Sequence, residues 1–292
     1  MRLLPSALLV PLALAVTATS CKRDSATVAP VPVGGAASAW KLVWADEFDM
    51  DGPPNPSNWT FEVGFVRNEE LQWYQPGNAT CSKGLLILTA RRERVVNLDY
   101  QPGATTWARR RPEAEYTSAS LMTRGLHQWL YGRFEMRARI DTRGGLWPAF
   151  WTLGATGDWA SDWPHGGEID IMEYYRGTLL ANAFWGSKDK WVPVSNINRF
   201  PLSAFNDPDW AKRFHVWRMD WDERQLQFCL DDKPLCRIDL DQTHNEDGTG
   251  NPLRRPQFLL LSLAVGGTQG GDPSATEFPA HFEVDYVRVF RR

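Results

Sequence analysis

Nine consecutive residues, Gly132-Arg133-Phe134-Glu135-Met136-Arg137-Ala138-Arg139-Ile140, alternate charged and apolar side chains after the opening glycine. A period of two sends every apolar residue to one face of an extended strand and every charge to the other, which a helix cannot do. Nearly the same alternation returns at Phe282-Glu283-Val284-Asp285-Tyr286-Val287-Arg288-Val289-Phe290. Shorter strand-like runs occupy residues 85–90, 214–221, 225–228 and 258–263, and only residues 203–212 predict a short helix. Many short strands joined by Gly- and Pro-containing turns predict an all-β protein, two antiparallel sheets packed face to face as a sandwich. One sheet face is then free to bend into a groove. The 292 residues show neither an internal repeat nor a second linker, so residues 40–292 are expected to form one domain.

Within that pattern lies an unusual strand, Gly166-Gly167-Glu168-Ile169-Asp170-Ile171-Met172-Glu173-Tyr174-Tyr175. Glu168 and Asp170 share one strand face and Ile169 and Ile171 the other. Strict alternation would put Met172 beside the two acids. One extra residue, absorbed as a β-bulge, returns Glu173 to the acidic face. A row of three carboxylates raises its own pKa values, so that one site stays protonated. A glycosidase needs that condition, with one carboxylate ionised and one carboxyl protonated near neutral pH. The spacing alone suits an acidic, solvent-facing strand equally well.

The formal charge of −3 is too small to argue for nucleic acid or an anionic membrane surface as partner. Fifteen tryptophans against seven tyrosines supply broad apolar faces with a polar edge, suited to stacking on sugar rings as well as to a core. Residues 1–20 read as a secretory signal segment: Arg2, an apolar stretch to Val16, then small residues up to Ser20. Ala18-Thr19-Ser20-Cys21 resembles a bacterial lipobox, which would make Cys21 the lipidated N-terminus of an exported protein. The expected place is the outer membrane or cell surface, or the periplasm or medium without the lipid. Residues 21–39, rich in Ala, Val, Pro, Gly and Ser, predict a flexible tether. Cys229 and Cys236 flank a hairpin turn; centred on Asp232-Lys233, it would set them opposite each other for a disulfide, leaving Cys81 as the odd thiol. Three free thiols are the other reading.

The acids are also part of a longer resemblance. Glu168-Ile169-Asp170-Ile171-Met172-Glu173 resembles the bulged E-x-D-x-x-E signature of glycoside hydrolase family 16, the form typical of laminarinases (endo-β-1,3-glucanases), agarases and carrageenases. Further segments follow the family pattern in order: Leu42 to Phe48, Arg67 to Tyr74, Tyr131 to Glu135, Gly145 to Trp151, Ala264 to Gly267, and Val284 to Val289. The resemblance implies a concanavalin A-like β-jelly roll with an open cleft on its concave face. It further implies retaining endo-hydrolysis of a β-linked polysaccharide, with no cofactor required for catalysis. Carried over position by position, Glu168 is the nucleophile, Glu173 the general acid/base, and Asp170 the residue between them that tunes the nucleophile. Retaining chemistry wants the two carboxyl groups about 5–5.5 Å apart, within reach of one bulged strand.

Trp147 and Trp151, four apart on one strand face, are expected as an aromatic floor beside the cleavage point. Asn68 is expected to contact sugar on the non-reducing side, Gln269 to line the cleft, and Trp163 with His165 to shape the approach to the acids. Some family members hold calcium on the convex side, and the matching positions are Glu47, Gly84 and Asp285, a thin set for a structural calcium. The chain departs from many laminarinases at Ala119-Ser120, at residues 180–185 and at Ser262. These positions belong to the expected cleft walls, so they bear on substrate rather than on chemistry. The leading expectation is a monomeric glycoside hydrolase acting on β-1,3- or mixed β-1,3/1,4-glucan. The alternatives are a galactan hydrolase of the agarase or carrageenase kind, or a non-catalytic cell-surface glucan-binding protein. Arg109-Arg110-Arg111 is read as a solvated charge run whose place relative to the cleft is open.

Overall fold

The alternating runs are central strands of one sheet. Its path is β17 (Lys233–Asp239), β16 (Gln225–Leu230), β15 (His215–Trp221), β10 (Gly132–Ile140), β19 (Ala280–Arg291), β5 (Leu85–Ala90) and β4 (Ala79–Ser82). An eighth strand, β1 (Lys41–Asp46), also pairs with β19. The second sheet runs β14 (Pro193–Pro201), β13 (Thr178–Gly186), β12 (Glu168–Tyr175), β11 (Leu146–Gly154), β18 (Gln257–Val265), β9 (Ser120–Met122) and β2 (Thr60–Phe61). Two small pairs complete the set: β3 (Gln72–Tyr74) parallel to β8 (Tyr116–Ser118), and β6 (Val95–Val96) with β7 (Glu113–Ala114). The computed structural model describes residues 39–157 and 162–292, and Ala39–Arg292 pack as one compact unit. The expected signal segment, Cys21 and the tether up to residue 38 lie outside the described residues.

The sandwich follows from the period-two pattern. Phe134, Met136, Ala138 and Ile140 of β10 face inward, as do Leu259, Leu261, Leu263 and Val265 of β18, and all belong to one buried cluster. Phe134 is fully buried, so truncating it to alanine costs about 3–5 kcal/mol. The charges of β10 and of its neighbours β15 and β19 form a grid on the outer face. Arg133 lies directly opposite Asp220 and bonds it at 2.7 Å, and Arg137 bonds Asp285 at 2.6 Å. On the other sheet, residues of β11, β12, β13 and β18 that turn away from the core build the site.

Two local expectations are corrected. Residues 203–212 form no single helix; 3₁₀ turns at Leu202–Phe205 and Trp210–Lys212 are separated by Asn206 in the left-handed region (φ 51°). Pro208 follows two residues on, and a proline disfavours helical geometry before it. The hairpin between β16 and β17 turns at Asp231-Asp232, both at positive φ, with Leu230 paired to Lys233. Such a two-residue turn matches the strand twist. It moves the register, so Cys229 faces Pro234 and Cys236 faces Phe228 across a bulge. Cys81, Cys229 and Cys236 are free, and the Cys229 sulfur accepts a hydrogen bond from Arg218.

Candidate active site

β12 carries the three acids and the expected bulge. Ile169, Ile171, Met172 and Tyr174 all enter the core, so the two adjacent residues Ile171 and Met172 point the same way. The pairing with β13 slips between Asp170 and Glu173, and the pairing with β11 slips between Phe150 and Trp151. The extra residue thereby returns Glu173 to the outer face with Glu168 and Asp170.

Each acid is met by a donor from a neighbouring element. The Trp163 indole N–H donates to Glu168 at 2.6 Å, and the Trp147 indole N–H donates to Glu173 at 2.7 Å. Asn182, buried on β13, donates its side-chain amide to Asp170 and to Glu173, at 3.0 Å each. A hydrogen bond also joins Glu168 and Asp170. Burial is the main force on all three carboxyls and raises them above their ordinary range. Glu168 and Glu173 are pushed well up, each further by the charge of Asp170, while the donors partly oppose the rise. Asp170 is raised by burial to about 6, held there by Asn182 and Glu168. Such a site retains protons near neutral pH and passes them between neighbours, so its carboxyls titrate as a set.

The remaining expected residues separate into two groups. Trp147, Trp163 and the acids come together. Trp151 donates to Ser262 Oγ at 3.2 Å and packs with Ala149, Leu153, Phe258 and Leu260 in a small apolar cluster on the outer face, against which Trp163 also packs. The Arg67 guanidinium lies 4.9 Å from the Trp151 ring centroid. Asn68 and Gln269 are exposed on adjoining loops: the Asn68 carbonyl accepts from the Thr268 N–H at 2.8 Å. Gly270 packs on Trp147, which ties that loop to the acids. His165 bonds the Ser187 carbonyl at 3.0 Å and pairs with Asp247, so it supports a loop and meets none of the acids.

Sequence reasoning missed Asn182 and a buried polar group behind Asn68. Glu62 pairs with Arg67 and accepts from Ser120 Oγ at 2.6 Å, and Glu70 accepts from Gln72 at 2.7 Å. The departure from the family pattern at Ser120 was visible in the sequence, but its partner lies 58 residues away. The calcium expectation fares differently. The Glu47 carboxylate is taken by Arg288 at 2.7 and 2.8 Å, and that of Asp285 by Arg137. Among the described residues no group of three or more His, Cys, Asp or Glu side chains could hold a metal. The Glu47 and Asp285 side chains are thus engaged by arginines, and the third expected position, Gly84, can offer only its backbone oxygen. A cavity of about 870 Å³ between Thr89, Arg92, Phe278 and His281 includes none of the three acids.

The model of the glycosyl hydrolases family 16 matches residues 69–288. The chain belongs to this family. A β-glucanase of Rhodothermus marinus is 35% identical over 274 residues, covering 87% of this chain and 86% of the relative. A glucan endo-1,3-β-glucosidase of Cryptopygus antarcticus is 35% identical over 275 residues, covering 87% and 93%. Among solved family folds, the catalytic domain of an endo-1,3-β-glucanase (laminarinase) from Thermotoga petrophila RKU-1 superposes with a TM-score of 0.71 at 32% identity, covering 87% of this chain and 98% of that one. A structure from work on endo-acting O-glycanases, with which human gut microbiota initiate mucin breakdown, reaches 0.78 at 30% identity, covering 89% and 94%. Family membership makes the protein a glycoside hydrolase of the jelly-roll sandwich fold.

Proposed function

We propose that the protein is a retaining endo-β-glucanase acting on β-1,3- or mixed β-1,3/1,4-glucan. The observation that carries this reading is the outward row Glu168, Asp170 and Glu173, raised together by burial and each held by a donor. In the cycle, Glu168 attacks the anomeric carbon while Glu173 protonates the leaving glycosidic oxygen. Glu173 then deprotonates a water that releases the glycosyl-enzyme. Asp170, hydrogen-bonded to Glu168, tunes the ionisation of the nucleophile. Trp147, Trp163 and Asn182 fix the carboxyls. Trp151, Asn68 and Gln269 contact the sugar chain on the side of β18. The glucanase names of the relatives at 35% identity support the substrate.

A second substrate has its own support: the higher TM-score belongs to the structure connected with mucin O-glycans. Ser262, where the chain departs from many laminarinases, accepts from the Trp151 indole and agrees with a changed sugar preference. The test is reducing-end release by the purified protein from laminarin, lichenan and mucin O-glycans, with the Glu168→Gln protein as control. Glucan cleavage lost in the variant supports the first reading, and cleavage of mucin glycans alone replaces it with the second. NMR of the first-formed anomer checks retention.

We further propose that residues 1–20 direct export, that Cys21 carries the lipid on the 21–39 tether, and that residues 40–292 are the catalytic domain. Mass spectrometry of the N-terminal peptide tests this; an unmodified Cys21 rejects the anchor.

A further inference from the structure

The sheet register gives Glu173 a neighbour that neither other acid has. Across β13 it sets Leu180 opposite Glu173, and Arg199 of the edge strand β14 opposite Leu180. The matching β14 positions are Ile197 for Asp170 and Ser195 for Glu168. Residues directly opposite share a sheet face. Arg199 and Ile197, both exposed, therefore turn to the cleft, while Val194 and Phe200 pack on the core. Leu180, between the two, belongs to neither apolar cluster yet is only 2% exposed, so side chains of the cleft face close over it.

Two strand spacings, about 10 Å, separate the backbones of β12 and β14, a gap that a tyrosine and an arginine can close from its two sides. The Arg199 guanidinium reaches the Tyr175 hydroxyl as a donor. Tyr175 stands two residues beyond Glu173, with Tyr174 between them in the core, so it shares the face of the acid. Its ring meets Trp147 edge-on at 5.6 Å, and the Trp147 N–H is the one that holds Glu173. Arg199 is thereby tethered beside Glu173 on the β14 half of the cleft, away from β18.

Few charges face Glu173. Glu168 and Asp170 stand on its own strand, and β11 and β13 bring the neutral donors Trp147 and Asn182. Arg176, exposed in the turn after Tyr175, lies against Gly271. Burial and the charge of Asp170 raise Glu173; Trp147, Asn182 and then the charge of Arg199 oppose the rise. Arg199 acts across the gap, without a hydrogen bond to the carboxyl. A group that serves as acid in one step and as base in the next must shed its proton and regain it. A cation one strand away favours the ionised form between those steps and leaves both carboxyl oxygens to their donors.

We propose that Arg199 is a positioning residue for the general acid/base: anchored on Tyr175 at the edge strand, its charge stabilises the Glu173 carboxylate left when the leaving oxygen takes the proton. The proposal rests on the hydrolase reading of the acids and adds to it a residue from outside their strand. In the first step the Glu173 O–H bond breaks as the glycosidic oxygen gains the proton and parts from the anomeric carbon. In the second, Glu173 takes a proton from water. Arg199 gives up no proton in either step.

The test is the pH–rate profile of the purified protein, Arg199→Gln and Arg199→Lys on laminarin, or on mucin O-glycans if those are what the protein cleaves. Arg199 is exposed, so both variants should fold. In Arg199→Gln the alkaline limb of kcat/KM is expected to move upward by about half a pH unit, the worth of one charge across a partly exposed gap. Arg199→Lys, which keeps the charge, should restore most of that shift. A carbon-13 carboxyl NMR titration of Glu173, assigned with Glu173→Gln, should show the same displacement without substrate. An unmoved Glu173 titration in Arg199→Gln overturns the proposal, and so does an equal shift in Arg199→Lys. Failure of the hydrolase reading shows separately, as absence of reducing-end release from every glycan by the unsubstituted protein.

Discussion

Asn182 donates its amide to Glu173 at 3.0 Å from the adjacent strand, and the same nitrogen reaches Asp170. One neutral side chain therefore sets the distance between two acids that repel each other. Donation to a carboxylate favours its ionised form. Removing the donor in Asn182→Ala raises Glu173 further, so the general acid stays protonated to higher pH. The alkaline limb of the kcat/KM profile is expected to move upward, with kcat falling about tenfold as the acid loses its position. An unmoved alkaline limb would separate Asn182 from the chemistry.

Trp163 acts on the other limb. Trp163→Phe keeps the ring but removes the N–H that reaches Glu168 at 2.6 Å. The Glu168 carboxyl rises, and the fraction ionised at a given acidic pH falls. The acidic limb is expected to shift to higher pH by more than the alkaline limb, which follows only through the coupling among the acids. A profile whose acidic limb does not move would separate the Trp163 N–H from the nucleophile.

The raised carboxyls also bear on stability. Folded Glu168, Asp170 and Glu173 hold protons more tightly than the unfolded chain, so stability falls as pH rises from the ordinary carboxylate range through their raised values. Glu173→Gln removes one buried charge and leaves a group that still accepts hydrogen bonds. The variant should be inactive yet more stable at pH 8 by about 1 kcal/mol, a rise of about 2–4 °C in Tm. At pH 3, where Glu173 is protonated in both states, the difference should vanish. Calorimetry at the two pH values decides it.

Glu62 and Arg67 form an ion pair with the Glu62 side chain only 3% exposed. Removing one partner strands a buried charge. Glu62→Ala is expected to cost about 3–5 kcal/mol in denaturant unfolding. It also releases Arg67 from its position over Trp151, so KM should rise in any protein that still folds.

With Cys81, Cys229 and Cys236 free, reducing agent should leave Tm unchanged, and thiol titration of unfolded residues 40–292 should find all three. A drop in Tm on reduction would show that a disulfide had formed.

Much of this was legible along the chain. Alternation at 132–140 and 282–290 determined two-faced strands, and a row of inward apolar residues can be buried only against a second sheet. The bulge at Ile171-Met172 was legible too, because one residue too many separates Asp170 from Glu173 for a shared face. Local errors came where neighbours decide. The Asp231-Asp232 turn was chosen by the twist of its strands, and with it the separation of Cys229 from Cys236.

What only the tertiary structure decided is the company each acid keeps. Asn182 and Trp147 reach Glu173 across strands, Ser120 finds Glu62, and Arg111 settles on Glu70 from 41 residues away. Strand period is a property of consecutive residues and can be read from them. Hydrogen-bond partners depend on which strands become neighbours and in what register, and that is set by the packing of two whole sheets. The sequence by itself determined which residues face outward on β12; the fold decided which donors meet them, and so how they titrate.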